Sequence, residues 1–167
     1  MGAWGITERQ SDYGLDLLGT IVDTRLKQAN FAAFNVAEAL EVIKADILDE
    51  IRRGNRGCSA EDLIFLISAN FPRYFTHGAI LIAECLADYY RTGELTVTEY
   101  VSEKYDPVDH RIKEIVVTPA DLKILLDEPQ SVQDPAHELY QCWVDDDTRQ
   151  RWLAHVQSVC QTLQVHT

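Results

Sequence analysis

Basic residues are scarce in this sequence of 167 residues, in which 15 Lys and Arg stand against 27 Asp and Glu, for a formal net charge of −12. Because few groups could neutralise phosphate, we expect the chain to bind neither nucleic acid nor an anionic membrane surface. Glycine and proline are also infrequent, at 8 and 5 residues, whereas 46% of the residues are hydrophobic. This composition excludes a low-complexity chain and predicts a single folded domain over residues 1–167.

Long apolar runs and targeting signals are missing as well. The most continuous apolar stretch, residues 79–83, is interrupted by Glu84 and then by Asp88, so it is far shorter than the roughly 20 residues of a membrane-spanning helix. The chain begins without a basic segment followed by an apolar run, and we therefore expect a cytoplasmic protein. The cysteines have neither Cys-x-x-Cys nor zinc-finger spacing, which indicates buried or bystander thiols at Cys58, Cys85, Cys142 and Cys160.

Motifs of known catalytic sites are absent from the sequence. It contains no G-x-S-x-G, no phosphate-binding G-x-x-x-x-G-K-[ST] and no G-x-G-x-x-G after a strand. The prediction is therefore a binding protein without enzymatic activity, cofactor or metal. One alternative is a metal-dependent enzyme, because His77, Glu84 and Asp88 line one side of a predicted helix and could hold a hard divalent cation.

Other interpretations of these residues compete with the metal site. Asp88 can pair with Arg91 three residues later, and a solvated or self-paired stripe is the favoured interpretation. A second group of carboxylates and an imidazole, Asp106–His110, falls in a predicted loop, where solvated turn chemistry explains it equally well.

Apolar residues recur at helical spacing through most of the chain, which predicts a mainly α, single-domain helical bundle. A first helix begins at Ser11 or Asp12 and carries the stripe Leu15, Leu18, Val22 and Leu26. A second spans residues 35–53, a short buried helix covers Leu63–Ile67 and stops before Pro72, and residues 76–91 form the core helix that Gly93 closes.

Further elements are predicted in the second half of the chain. Leu95–Thr98 and Ile115–Val117 flank the turn signal Asp106-Pro107, which predicts a small β-hairpin over about residues 95–117. Thr118-Pro119 and Asp134-Pro135 each begin a short helix. The acidic run Asp145–Asp147 begins the last helix, because its charges suit the positive N-terminal end. The stripe of the last helix either closes the bundle, which is favoured, or meets the same stripe in a homodimer; it comprises Trp152, Val156, Val159 and Leu163.

Negative charge is concentrated in residues 94–147, where 14 Asp and Glu stand against 4 Lys and Arg for a net −10, while the rest of the chain carries −2. A solvated face explains this asymmetry, and the alternative is a surface complementary to a basic partner. Nearby aromatic residues could anchor such a partner: Tyr89, Tyr90, Tyr100, Tyr105 and Trp143. The predicted partner-binding residues form two clusters: Glu99, Glu103, Asp106 and Asp109, and then Asp145, Asp146 and Asp147.

The chain opens Met1-Gly2-Ala3-Trp4-Gly5 and continues Ser11-Asp12-Tyr13-Gly14-Leu15-Asp16. Over about 20 residues this opening resembles a widespread bacterial family of small uncharacterised proteins that begin Met-Gly-x-Trp-Gly and carry Asp-x-x-x-Asp at the start of a helix. We interpret the motif as architectural: Trp4 would pack into the bundle, Gly2 and Gly5 would allow close approach, and Asp12 and Asp16 would cap or charge the first helix.

Some members of that family are similar to immunity proteins, which neutralise toxins exchanged between bacteria. The resemblance therefore implies a stoichiometric inhibitor whose partner is a cognate toxin domain. Many such toxins are nucleases with basic clefts that an acidic inhibitor could occupy. The predicted function is an immunity protein with an acidic binding surface, and the alternatives are the metal-dependent enzyme and a self-associating structural module.

Overall fold

The computed structural model describes residues 7–100, 107–143 and 145–166, without the side chain of Tyr100. The fold is mainly α, as predicted. Its helices are α1 (Asp12–Ile21), α2 (Val36–Gly54), α3 (Ala60–Thr92), α4 (Pro119–Ser131), α5 (Glu138–Gln141) and α6 (Asp146–Val165). Its strands are β1 (Phe34–Asn35), β2 (Leu95–Tyr100), β3 (Pro107–Ile112) and β4 (Ile115–Val116). Within the described ranges, no helix is both long and apolar enough to cross a membrane.

Helix α3 is the centre of the fold, and every residue from Gly78 to Ala87 is buried. The helices α2, α4 and α6 all pack against it. This confirms the predicted core helix, whose side chains are apolar nearly all round. Gly93 ends the helix at a φ of 79°, in the left-handed region that glycine adopts without steric cost.

The first half of α3 corrects the sequence analysis. The predicted end before Pro72 is wrong, because α3 is continuous from Ala60 to Thr92. A proline inside a helix costs about 3 kcal/mol. That cost is offset here by the packing of Phe71 and Phe75, which lie before and after Pro72 in the sequence. Their rings stack on each other and pack against the hydrophobic core. The predicted burial of residues 63–67 is confirmed only in part: Leu63, Leu66 and Ile67 pack against the core, whereas 65% of Ile64 and 71% of Phe65 are exposed.

Strands β2 and β3 form the predicted antiparallel hairpin, in which Leu95 lies opposite Ile112 and both are buried. The predicted second strand is wrong, however: Ile115–Val116 pairs in parallel with Phe34–Asn35, and the hairpin instead uses Pro107–Ile112. Residues 107–110 therefore lie in a strand rather than in the predicted loop. Cross-strand hydrogen bonds between polar side chains stabilise this strand, which apolar patterning did not reveal.

Helix α1 begins where predicted but faces the core differently. Ser11 is the N-cap, and its side chain accepts a hydrogen bond from the Gly14 amide. Leu15, a predicted core residue, is 49% exposed, because the close approach of Gly14 to the Glu8 carbonyl fixes the helix with Leu17 inward. Asp12 and Asp16 are exposed in the first two turns. Gly2, Trp4 and Gly5 lie outside the described residues. A π-helical segment, Val22–Leu26, follows α1.

The predicted helix starts in the second half are confirmed in two cases of three. Thr118 and Asp121 form a capping box at the start of α4, and Asp145 caps α6. The start predicted at Asp134-Pro135 is wrong, because the Asp134 side chain accepts a hydrogen bond from the Ala136 amide in a turn and α5 begins only at Glu138.

The stripe on α6 closes the bundle. Its four apolar residues are between 0% and 2% exposed; they are Trp152, Val156, Val159 and Leu163. The internal packing favoured by the sequence analysis is confirmed, and the homodimer through this stripe is excluded because the side chains are already covered within one chain.

Replacement of Gly78 by Ala should destabilise the protein. A Cβ at this position would lie 2.5 Å from Ile43 Cγ2, and Ile43 is fully buried on α2. Overpacking of this kind costs about 1–3 kcal/mol, which outweighs the better helix propensity of alanine. In a control, Gly19→Ala should stabilise α1, since no atom lies within 4 Å of its added Cβ. Urea titration measures the free energy of unfolding of both variants. Equal changes in the two variants would contradict the close approach of α2 and α3.

Candidate functional site

The acidic residues of the hairpin are engaged within the chain. Glu99 lies 3.1 Å from Lys27 Nζ through Oε1 and 2.8 Å from His110 Nε2 through Oε2. These hydrogen bonds lower the pKa of Glu99, with that from Lys27 the larger cause. Asp109 accepts a 2.8 Å hydrogen bond from Thr98 Oγ1 and remains exposed. The other two predicted residues of this cluster, Glu103 and Asp106, lie outside the described ranges.

The second predicted cluster lies at the start of α6 and is open to solvent. Asp145, Asp146 and Asp147 are all exposed. Asp145 accepts a 2.8 Å hydrogen bond from the Thr148 amide, and this bond lowers its pKa. Asp146 pairs with Arg149. The three carboxylates therefore lie at the N-terminus of α6, where negatively charged side chains stabilise a helix.

Aromatic side chains lie beside these carboxylates. Trp143 is partly exposed, with its ring centroid 5.4 Å from that of the buried Trp152. Tyr140 is also partly exposed, and the Arg149 guanidinium lies 4.7 Å from its ring centroid. We call this combined surface the acidic corner; it comprises Glu138, Tyr140, Trp143, Asp145, Asp146 and Asp147.

The acidic corner and the hairpin are far apart along α3. Helix α6 runs in the same direction as α3, because His155 contacts Glu84 and Thr162 contacts Arg91. Asp146 precedes His155 by nine residues, whereas the hairpin begins just beyond the end of α3. At 1.5 Å per residue, the start of α6 and the start of the hairpin are therefore about 25 Å apart along the axis of α3. The structure thus places the two predicted clusters on separate surfaces.

A polar cluster surrounds Glu84, which is only 5% exposed within the apolar core helix. Its carboxylate accepts hydrogen bonds from the amides of Glu8 at 2.9 Å and Arg9 at 3.1 Å, and it lies 2.8 Å from His155 Nε2. This carboxylate therefore joins α3 to the 3₁₀ turn Glu8–Gln10 and to α6. Nothing in the sequence marks these partners, because they lie 76, 75 and 71 residues away.

The three residues of the predicted metal site contact different partners. His77 Nδ1 lies 3.0 Å from Glu8 Oε2, Glu84 takes the contacts just described, and Asp88 pairs with Arg9 and, at 3.9 Å, with Arg91. The predicted pair of Asp88 with Arg91 is thus confirmed. In the described parts of the chain, no group of three His, Cys, Asp or Glu side chains is arranged to hold a metal ion.

A cleft of about 310 Å³ opens beside this polar cluster. Among the residues that line it, the charges of Arg9 and Arg91 balance those of Glu84 and Asp88. Arg9 also donates to the Thr96 carbonyl, and Arg91 donates to Thr162 Oγ1. These contacts make the cluster a structural clamp between the ends of the described chain.

A further acidic group, outside the two predicted clusters, lies between α1 and α2. Burial raises the pKa of Asp46, and the nearby Glu50 carboxylate raises it further. Burial also raises the pKa of Tyr13, and the negative charges of Asp46 and Glu50 raise it further. The charge count by segment did not reveal this group, because Arg52 and Arg53 follow it in sequence.

Comparison of the chain with protein-family models, with curated proteins and with solved structures gave no match.

Truncation of Glu84 should destabilise the fold strongly. In Glu84→Ala the amides of Glu8 and Arg9 lose their acceptor in a buried position, so we expect a loss of about 2–4 kcal/mol in the free energy of unfolding. The isosteric Glu84→Gln keeps one acceptor oxygen and should lose less. Thermal and urea unfolding measure both effects. A loss no larger than that of the exposed Glu114→Ala would contradict the clamp.

Neutralising Asp46 should make stability less dependent on pH. The folded-state pKa of Asp46 is raised, so the ionised carboxylate opposes folding. The protonated carboxyl contributes stability that is fully present below the ordinary pKa of 3.8 and is lost as the pH rises through the folded-state pKa. Asp46→Asn should therefore unfold at higher urea than the wild type at neutral pH and at the same urea near pH 2.5. If Asp46→Asn and the wild type had equal urea midpoints at neutral pH as well as near pH 2.5, the raised pKa of Asp46 would be contradicted.

Proposed function

We propose that the protein is a stoichiometric inhibitor of the immunity-protein kind, which binds a basic domain of a bacterial toxin through the acidic corner. The observation that carries the proposal is the exposure of three consecutive carboxylates, Asp145, Asp146 and Asp147, beside partly exposed aromatic rings. Complementary charge accelerates the encounter of two proteins, and aromatic anchors supply the energy of the contact.

The acidic corner has the rigidity that a binding surface needs. Asp145 is fixed by the Thr148 amide, and Asp146 is held by Arg149, whose guanidinium lies over Tyr140. Trp143 rests on the buried Trp152. Because these side chains are ordered before binding, little conformational entropy is lost when a partner docks.

The hairpin is a weaker candidate for the same role. The Glu99 carboxylate would have to leave both Lys27 and His110 to reach a partner, and the His110 ring is itself stacked on Phe31 at a centroid distance of 3.5 Å. Of its described acidic residues, Asp109 is exposed but hydrogen-bonded to Thr98. The proposal therefore assigns the principal contact to the acidic corner and not to β2 and β3.

Two features support the choice of a basic toxin domain as the partner: the negative charge of the acidic corner and the resemblance of the opening motif. A surface with this density of carboxylates fits a partner rich in Lys and Arg, such as the substrate cleft of a nuclease domain. Inhibition would then be stoichiometric, because the acidic corner occupies the cleft that nucleic acid would otherwise enter.

Reversal of charge in the acidic corner should weaken partner binding. Where the gene immediately upstream encodes a large secreted protein, the probe is the C-terminal domain of that protein, co-expressed with the full chain and titrated by calorimetry. Asp146→Lys/Asp147→Lys should raise the dissociation constant at least about tenfold, mainly by slowing association. Circular dichroism should show an intact fold, since lysine in the first turn of a helix costs at most about 1 kcal/mol per residue.

The double variant Asp16→Lys/Glu41→Lys is the matched control, because it changes net charge equally on α1 and α2. It should bind almost as tightly as the wild type. Equal binding by the corner variant and the wild type would remove the acidic corner from the interface, and the lack of any one-to-one complex would overturn the proposed function.

A further inference from the structure

The cleft beside the clamp is bounded by three parts of the chain: the 3₁₀ turn Glu8–Gln10 with Thr7 before it, the second half of α3 and the middle of α6. Its volume of about 310 Å³ lies at the lower end of the range for sites that bind small molecules, roughly 300–1,000 Å³. The cleft therefore has room for a small ligand, whose chemistry depends on the groups that the walls leave free.

Two charged side chains on the wall of the cleft each leave one atom without a hydrogen bond. Asp88 pairs through Oδ2 with Arg9, and Arg91 donates through Nη2 to Thr162 Oγ1 at 2.8 Å. The remaining atoms, Asp88 Oδ1 and Arg91 Nη1, lie 3.9 Å apart, which is too long for a hydrogen bond. No other group in the described residues bonds to either atom. The wall thus presents a free anionic acceptor beside a free cationic donor.

Both side chains are accessible and are also held in place. The exposed fraction is 45% for the Asp88 side chain and 41% for that of Arg91. The pair with Arg9 anchors Asp88 to the 3₁₀ turn, and the hydrogen bond to Thr162 anchors Arg91 to α6. Because the two groups are positioned before a ligand arrives, little conformational entropy is lost on binding.

The charge balance of the cleft limits the class of ligand. Arg9 and Arg91 balance Glu84 and Asp88, so a ligand with a single charge is attracted by one group and repelled by its neighbour. A ligand that carries a cation and an anion side by side is attracted by both. Glu84 is already engaged by two backbone amides and His155, which leaves Asp88 and Arg91 as the groups that can take such a ligand.

We propose that the cleft binds a small zwitterion of the α-amino acid class. Its ammonium group donates to Asp88 Oδ1, and its carboxylate accepts from Arg91 Nη1. Two charge-assisted hydrogen bonds thereby replace one loose ion pair. The side chain of the ligand can contact Val159, and Thr7 and Gln10 supply polar groups at the same cleft.

The cleft is separate from the acidic corner, and its ligand does not rest on the proposed function. His155 follows Asp147 by eight residues, so the two sites are about 12 Å apart along α6. The ligand would bind between the turn, α3 and α6 and would stabilise the clamp in the absence of any partner protein. A test on the chain alone can therefore fail or succeed independently of the toxin experiment.

Thermal unfolding of the full chain with each of the common L-α-amino acids, at about 5 mM, is the first test, because a ligand that binds only the folded state raises the midpoint. We expect at least one of them to raise it, and calorimetry then gives the dissociation constant. Its N-acetyl and methyl ester derivatives each lack one of the two charges and should bind at least about tenfold more weakly. No shift with any amino acid, or equal binding of a derivative, would overturn the proposal.

Variants locate the site on the cleft wall. Arg91→Gln and Asp88→Asn should each raise the dissociation constant at least about tenfold. The matched controls, Arg151→Gln on α6 and Asp127→Asn on α4, make the same charge changes at exposed positions away from the cleft and should bind like the wild type. Circular dichroism checks that all four variants fold.

Amide spectra of ¹⁵N-labelled wild type give a measurement that does not depend on any variant. The amino acid should shift the signals of residues 88–91 and 155–159 in a saturable way. Equal affinities of the cleft variants and the control variants, or shifts confined to other residues, would overturn the assignment of the ligand to this cleft.

Discussion

A carboxylate buried in an apolar helix must be compensated, and the way in which Glu84 is compensated organises this fold. Its two oxygens accept from two backbone amides of the 3₁₀ turn and contact the imidazole of His155. A nearly buried charge without such partners would cost several kcal/mol. The turn, α3 and α6 therefore have to assemble together, and the pairs of His77 with Glu8 and of Arg9 with Asp88 extend the same clamp.

Elements with local signals could be predicted from the sequence. Helix α2 follows from its apolar spacing and its N-cap Asn35, and α4 follows from the capping box of Thr118 with Asp121. The start of α6 was recognisable because acidic residues suit a helix N-terminus. In each case the determining contacts lie within a few residues of one another, so one sequence suffices.

Elements that depend on distant contacts could not be predicted. The helix continues through Pro72 because tertiary packing on either side outweighs a local rule. The pairing of β4 with β1 joins segments about 80 residues apart, and no periodicity reports it. Only half of the candidate site could be predicted from the sequence. The charge pattern identified the carboxylates at the start of α6, but their separation from the hairpin depends on the direction in which α6 runs along α3.

The long sequence separation of the Glu84 contacts has a consequence for synthesis on the ribosome. Helix α3 leaves the exit tunnel more than 50 residues before α6 does, and α6 packs along the second half of α3. During that interval the apolar surface around Ile80, which later packs with Trp152, is open to solvent or to a chaperone. The nascent chain can form the pair of α2 with α3 early, but it cannot complete its core until translation has passed residue 163.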